Sequence, residues 1–290
     1  MKTLIFGATG MLGQALIREA NQRNINTKGV ARNDADINID IADDKLLINT
    51  IRQERPEVII NAAAMTNLAA CENNPSLAYR INARPLSIIA EISREINAYL
   101  IQISTDHYFT NDRDKRHAET SSVHLVNEYA RTKYAGEAFA LACPGSLAVR
   151  TNIVGFRNKK GQPTFVEWII QTLKKQSPIT LFDDFYASSI HVTQFSKALF
   201  DIVNKRPDGI LNLACVEVCN KKQFIEEIAY RLGYSLSHAR VGSVLELTDA
   251  RRAESLGLEV SRAEKILGYR LPTTKQVIDS LLLEYKELLQ

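Results

Sequence analysis

No stretch of this chain approaches the ~18 consecutive apolar residues that a bilayer-spanning helix requires. Met1-Lys2 leads into a short strand pattern, not into the long apolar core of a secretory leader. A membrane or exported protein is therefore not expected, and a cytoplasmic one is. Cysteine is scarce, with four residues, at 71, 143, 215 and 219, in a chain of 290. Only Cys215 and Cys219 are close. They flank the end of an apolar run with no histidine nearby, so buried reduced thiols are expected and a metal site is not. An excess of one charge is also lacking: 36 Lys and Arg against 33 Asp and Glu leave +3, spread evenly, which argues against nucleic acid or a membrane surface as partner. Internal repeats and low-complexity segments are absent. What remains is 45% hydrophobic and 24% charged, enough for a sizeable core in one large domain or two unequal lobes.

Strand and helix patterns alternate up to about Arg150. Lys2–Phe6, 27–30, 57–61, 99–105 and 147–150 read as buried strands, with helices near 43–54, 75–96 and 127–142. That alternation predicts an α/β fold with a doubly wound parallel sheet. Pro85 falls inside the second of these helical patterns and is expected to kink it. Beyond Arg150 the pattern is irregular: a Gly/Lys-rich loop over 156–163, an amphipathic helix over 165–175, a strand over 179–182, a helix over 192–204 and a buried strand over 210–214. Residues 1–150 are expected to form one domain, joined by a return segment near 190–214, and 151–290 a smaller second lobe.

Three motifs carry chemistry. The first strand runs straight into Gly7-Ala8-Thr9-Gly10-Met11-Leu12-Gly13, and a helical pattern follows at once. Glycines at a strand-to-helix turn let the backbone approach a pyrophosphate, and the first turn of the helix supplies unpaired N–H groups and positive potential. The spacing is Gly-x-x-Gly-x-x-Gly, a departure from the usual Gly-x-Gly-x-x-Gly. Second, the apolar run from Tyr99 ends in Ser104-Thr105-Asp106. Ligands of parallel sheets bind outside the carboxyl ends of strands, which puts Thr105 and Asp106 at the mouth of the same crevice; the alternative is a turn or helix cap. Third, Tyr129 and Lys133 stand four apart on a helix and so share a face. An ammonium about 5 Å from a phenol favours the phenolate by roughly 3 kcal/mol at an effective dielectric of ~20, which would lower the phenol by roughly two pKa units.

These residues, in this order, resemble the extended branch of the short-chain dehydrogenase/reductase family, and within it the dTDP-4-dehydrorhamnose reductases. The resemblance covers nearly the whole chain, including Asp40-Ile41-Ala42-Asp43, Asn61-Ala62-Ala63-Ala64, Cys71-Glu72, Val149-Arg150-Thr151-Asn152, Asp183-Asp184-Phe185-Tyr186 and Arg252-Ala253-Glu254. It implies a Rossmann-type sheet with a C-terminal substrate lobe, a homodimer, and hydride transfer from a nicotinamide to the 4-keto group of a nucleotide-linked 6-deoxyhexose. Tyr129 would be the proton donor, Lys133 would tune it and hold the nicotinamide ribose, and Thr105 would align the carbonyl oxygen. Gly7, Gly10, Met11, Leu12 and Gly13 would meet the pyrophosphate, Asp40 and Ile41 would lie near the adenine, and Ala62, Ala63 and Ala64 near the ribose and pyrophosphate. Asp106, His107, Thr151, Asn152 and Arg252 would face the sugar nucleotide or the lobe closing on it, although Thr151, Asn152 and Arg252 serve equally well as structural hydrogen-bonders. No metal is implied by this chemistry.

The second strand ends in Ala31-Arg32-Asn33, without the carboxylate that usually takes the ribose 2′-hydroxyl of NAD. Arg32 can pair with a 2′-phosphate, so NADP(H) is preferred over NAD(H); the alternative is a solvated Arg32 with Asp34 or Asp36 on the ribose. His107 replaces the Tyr that the family typically has after Ser-Thr-Asp, Ser189 stands where Pro often follows a Ser, and Ala253 where Pro often follows the Arg. Two other readings stay open: a nucleotide-sugar epimerase of the same family, and a non-catalytic NADP-binding regulatory subunit.

Overall fold

The computed structural model describes residues 1–159 and 161–289, so residue 160 of the expected 156–163 loop lies outside the described residues. Seven parallel strands form the main sheet in the order Gly209–Asn212, Leu147–Arg150, Tyr99–Ile103, Val58–Asn61, Lys2–Phe6, Asn26–Ala31, Ile37–Asn38. Alternate residues of one strand feed opposite layers: Ile5 packs with Ile60, Ile101 and Val149, whereas Leu4 and Phe6 pack with Ile59 and Leu100. A strand covered on both faces is apolar throughout, and these runs are. The sheet is therefore doubly wound. Strand order reverses beside Lys2–Phe6, whose neighbours are Asn26–Ala31 on one side and Val58–Asn61 on the other. A ligand crevice forms at such a reversal, outside the carboxyl ends.

The expected helix over 75–96 is two helices, Pro75–Asn82 and Arg84–Ile96. Pro85 breaks the pattern where a kink was expected, because it sits in the first turn of the second helix, where its missing N–H costs no intrahelical bond. Helix Val192–Val203 packs on the glycine-turn helix Met11–Gln22. Elsewhere, Phe165–Lys174, Lys221–Leu232 and Thr274–Glu287 enclose a separate apolar cluster with Ile179 and Leu181. A four-stranded sheet runs Cys219–Asn220, Tyr186–Ala187, Ser255–Leu258, Arg116–His117, so one of its strands comes from before residue 150. All four thiols are free, with Cys71, Cys143 and Cys215 buried and Cys219 half-buried. Among the described residues no helix is long and apolar enough to cross a membrane.

Candidate active site

A cleft of about 1180 Å³ opens along the carboxyl edge of the sheet. Its floor begins at the glycine turn. Gly7 has φ +81, and a Cβ there would lie 2.7 Å from Ala63 N; a Cβ on Gly13 would lie 2.1 Å from Gly7 O. The turn, the helix and the strand end pack backbone to backbone, so no other residue fits either place. Gly10 caps helix Met11–Gln22 without any side chain, and Gly10 to Gly13 line the cleft. First-turn amides with no side-chain cap fit the pyrophosphate of a dinucleotide. Ala62, Ala64 and Arg32 line it too, whereas Gly7, Ala63, Asp40 and Ile41 lie outside its lining. Gly7 and Ala63 shape the turn from behind. Asp40 accepts from Ala42 N at 2.9 Å, and Ile41 packs against the core layer of Leu4 and Phe6.

Thr105, Tyr129 and Lys133 meet on the opposite wall. Strand Tyr99–Ile103 ends two residues before Thr105, and helix Glu128–Leu141, capped by Asn127 on Ala130 N, carries the other two. Lys133 is 3% exposed, and its Nζ donates to Ile103 O at 2.7 Å. Burial pulls its pKa down to about 8, opposed by the Glu137 carboxylate. Burial pushes the Tyr129 phenol up to about 12; the neighbouring Thr105 hydroxyl pulls the other way, and the Asp106 carboxylate pushes up. The expected lowering of Tyr129 by Lys133 is thus corrected. Helical spacing put the two side chains on one face, but the ammonium is spent on a carbonyl and desolvation dominates. A phenol that stays protonated is suited to giving a proton.

Beyond Tyr129 the wall is polar and dry. Asp106 is 1% exposed; its Oδ2 accepts from Asn152 Nδ2 at 2.7 Å, and Asn152 Oδ1 accepts from Ser189 Oγ at 2.7 Å. Burial pushes Asp106 up to about 7, with Asn152 and the Lys221 ammonium opposing. His107 stands edge-on to Tyr129, ring centroids 5.6 Å apart. Burial, then the charges of Lys221 and Arg252, hold its pKa down to about 4, so it is neutral at physiological pH. His107 Nδ1, Thr151 Oγ1 and Arg157 Nε are buried without a hydrogen-bond partner, and all three residues line the cleft. Orphaned buried polar atoms at one wall are places for ligand groups. Arg252 lies outside the lining; its guanidinium chelates Asp249 at 2.6 and 2.8 Å.

Two residues were missed from sequence. Lys221 has its Nζ 4.4, 5.5 and 5.9 Å from the ring centroids of Phe165, Phe185 and Phe224; Phe224 follows one turn later on the same helix, but no local pattern joins Lys221 to Phe165 and Phe185. Arg157 donates to Gln162 Oε1 at 3.2 Å at the cleft rim; the Gly/Lys-rich composition of its loop was its only signal.

Comparison with known proteins decides the family. The family described as the RmlD substrate binding domain matches residues 1–287. The chain belongs to that family. As the resemblance implied, it is one of the extended short-chain dehydrogenase/reductases. It is 32% identical over 190 residues to the dTDP-4-dehydrorhamnose reductase of Salmonella typhimurium, a stretch covering 65% of this chain and 62% of that enzyme. Over 97% of both chains it is 24% identical to the "Probable low-salt glycan biosynthesis reductase" of Haloferax volcanii. The fold matches a dTDP-4-dehydrorhamnose reductase of Bacillus anthracis in complex with NADP, with TM-score 0.88 and 24% identity over 98% of this chain and 99% of that one. A hypothetical dTDP-4-dehydrorhamnose reductase from Sulfolobus tokodaii matches at TM-score 0.83 and 30% identity, over 94% and 97%.

Proposed function

We propose that this chain uses NADPH to reduce the 4-keto group of a nucleotide-linked 6-deoxyhexose, as its dTDP-4-dehydrorhamnose reductase relatives are named for doing. The observation that carries the reading is the meeting of Thr105, Tyr129 and Lys133 in one cleft with an uncapped glycine-turn helix. Reduced nicotinamide supplies the hydride; the chain supplies everything else. Gly10 to Gly13 and the helix dipole hold the pyrophosphate, and Arg32 takes the 2′-phosphate. Of the two carboxylates that could take a ribose instead, Asp36 accepts from Gly29 N at 2.7 Å, and Asp34 sits in a left-handed turn at φ 57. Thr105 orients the sugar carbonyl, and Tyr129, protonated at neutral pH, gives the oxygen its proton as negative charge develops. His107 Nδ1, Thr151 Oγ1 and Arg157 meet polar groups of the sugar nucleotide.

The reading is tested by incubating the protein with NADPH and a panel of nucleotide-linked 4-keto-6-deoxy sugars while following NADPH absorbance. Turnover on at least one sugar is expected, and Tyr129→Phe should bind NADPH normally while losing roughly 10²–10⁴ of the rate, the usual contribution of a positioned general acid. A Tyr129→Phe enzyme within about threefold of wild type, far short of that range, would remove the phenol from the mechanism.

A further inference from the structure

Three cations line the cleft among the described residues: Arg32, Lys133 and Arg157. Arg32 stands at the end of the second strand, where the cofactor is read, and the Lys133 ammonium is taken by the Ile103 carbonyl. Arg157 is left for the charge of the second substrate. Its Nη2 donates to Gln162 O at 2.5 Å and to Gln162 Oε1 at 3.2 Å, across the loop that carries both residues, while its Nε is buried without a partner. A planar guanidinium with an N–H to spare fits a phosphate.

That loop has a hollow on either side. Arg157, Gly161, Gln162 and Pro163 line the cleft, whereas Asn158, Lys159, Gly161 and Pro163 line a second cavity of about 470 Å³. Hydrogen bonds at its base hold it. Thr164 Oγ1 donates to Gly155 O at 2.7 Å, and Glu167, in the first turn of helix Phe165–Lys174, gathers three backbone amides. Its Oε1 accepts from Arg157 N at 2.9 Å and from Asn158 N at 2.7 Å, and its Oε2 accepts from Thr164 N at 2.6 Å. Burial pushes this carboxyl up, but the three amides outweigh it and hold it below its ordinary range. Of the three bonds a capping box needs only the last. The other two reach back to Arg157 and its neighbour.

We propose that Arg157 binds the diphosphate of the sugar nucleotide, and that Glu167 is the positioning residue that holds Arg157 for it. The inference deepens the reductase reading above and rests on it for the class of substrate. The cofactor's own diphosphate is met by the glycine turn. The Arg157 loop instead joins strand Ile153–Val154 to helix Phe165–Lys174, and both Phe156 and that helix pack in the apolar cluster apart from the main sheet.

Glutamine at 167 keeps the capping box, since Gln serves at that helix position, but it offers one acceptor oxygen in place of two. Glu167→Gln should therefore fold, bind NADPH as wild type does and keep kcat, while KM for an accepted sugar nucleotide rises. Arg157→Gln should raise that KM about tenfold or more, the size of a lost charge-assisted hydrogen bond. The double variant should be no worse than Arg157→Gln alone, because Glu167 acts only through Arg157. A Glu167 of merely structural use would lower kcat and NADPH affinity as well, add its loss to that of Arg157→Gln, or leave Glu167→Gln unfolded; any of these overturns the positioning role. The second measurement is calorimetric titration with dTDP, UDP and GDP, which needs no turnover. Wild type should bind at least one of them, and Arg157→Gln should weaken it about tenfold or more while NADPH affinity holds. Binding of none of the three, equal affinity in the variant, or an equal loss of NADPH overturns the proposal and leaves the reductase reading standing. Reduction of no sugar, with diphosphate binding still dependent on Arg157, overturns the reductase reading alone.

Discussion

Arg32 lines the cleft at the end of the second strand, exposed and with no side-chain partner among the described residues, so its guanidinium is at liberty to read a phosphate. A charge-assisted hydrogen bond contributes roughly 1.5–3 kcal/mol. Arg32→Ala should therefore weaken NADPH about tenfold or more and leave NADH nearly unchanged, as measured by fluorescence titration of both; equal losses would show that Arg32 reads no phosphate. Single residues of this kind were legible when a local rule fixed them. Glycines at a strand-to-helix turn, hydroxyls past a strand end and a Tyr four before a Lys are placed by backbone geometry alone. Their protonation was not legible. Tyr129 lies high instead of low because distant segments dry it, and nothing within four residues encodes that. Lys221 stayed hidden for the same reason, two of its three aromatic neighbours, Phe165 and Phe185, being far from it in sequence.

Helix Glu128–Leu141 is held from both sides. Glu137, one turn beyond Lys133, pairs with Arg150 at 3.0 and 2.8 Å, both side chains 2% exposed, and the Arg150 guanidinium lies 5.0 Å over the Tyr108 ring. On the other side Gly136 presses so close to the break between the two helices of the 75–96 pattern that a Cβ would fall 2.5 Å from Asn82 O. Asn82 bridges the contact, donating to Thr132 Oγ1 at 3.1 Å and accepting from Met65 N at 2.7 Å. Removing one partner of a buried pair strands the other charge, so Glu137→Ala should cost about 3–5 kcal/mol of stability, read from urea midpoints. A loss under about 1 kcal/mol, the size of an exposed ion pair, would show that Arg150 finds another partner. Sequence placed this helix and a kink at Pro85 in the preceding pattern, where the structure has a break, since Pro85 and helical periodicity are local signals. It did not show that the break is where the catalytic helix docks.

At the scale of the whole molecule, the edge strand Gly209–Asn212 pairs with Leu147–Arg150 in register from Gly209↔Leu147 to Asn212↔Arg150, and helix Val192–Val203 covers Met11–Gln22. A fragment ending at residue 150 would expose that strand edge and that apolar helix face together. Such a fragment is expected to show no near-UV circular dichroism and no cooperative urea transition; a sharp transition would mean that the first 150 residues fold alone. The parallel sheet was readable because its strands are apolar on both faces. The second sheet was not, since its strands are two to four residues long and pair across distant segments, Tyr186 with Asn220 and Ser255, and Gly257 with Arg116.

The segment that leaves the catalytic strand has a mechanical consequence. After Asp106 and His107, Ser255 N donates to Phe109 O at 3.1 Å, Asp112 N donates to Ser255 Oγ at 2.9 Å, and Arg116 and His117 pair with Gly257 and Leu258. Phe109 stacks on His117 with centroids 4.0 Å apart. The wall that carries the acid is therefore stitched into the far sheet within about a dozen residues, by backbone pairing of the kind that resists sliding. This seam acts as a weld and not as a hinge: a load on the far sheet is felt at Thr105 and Asp106.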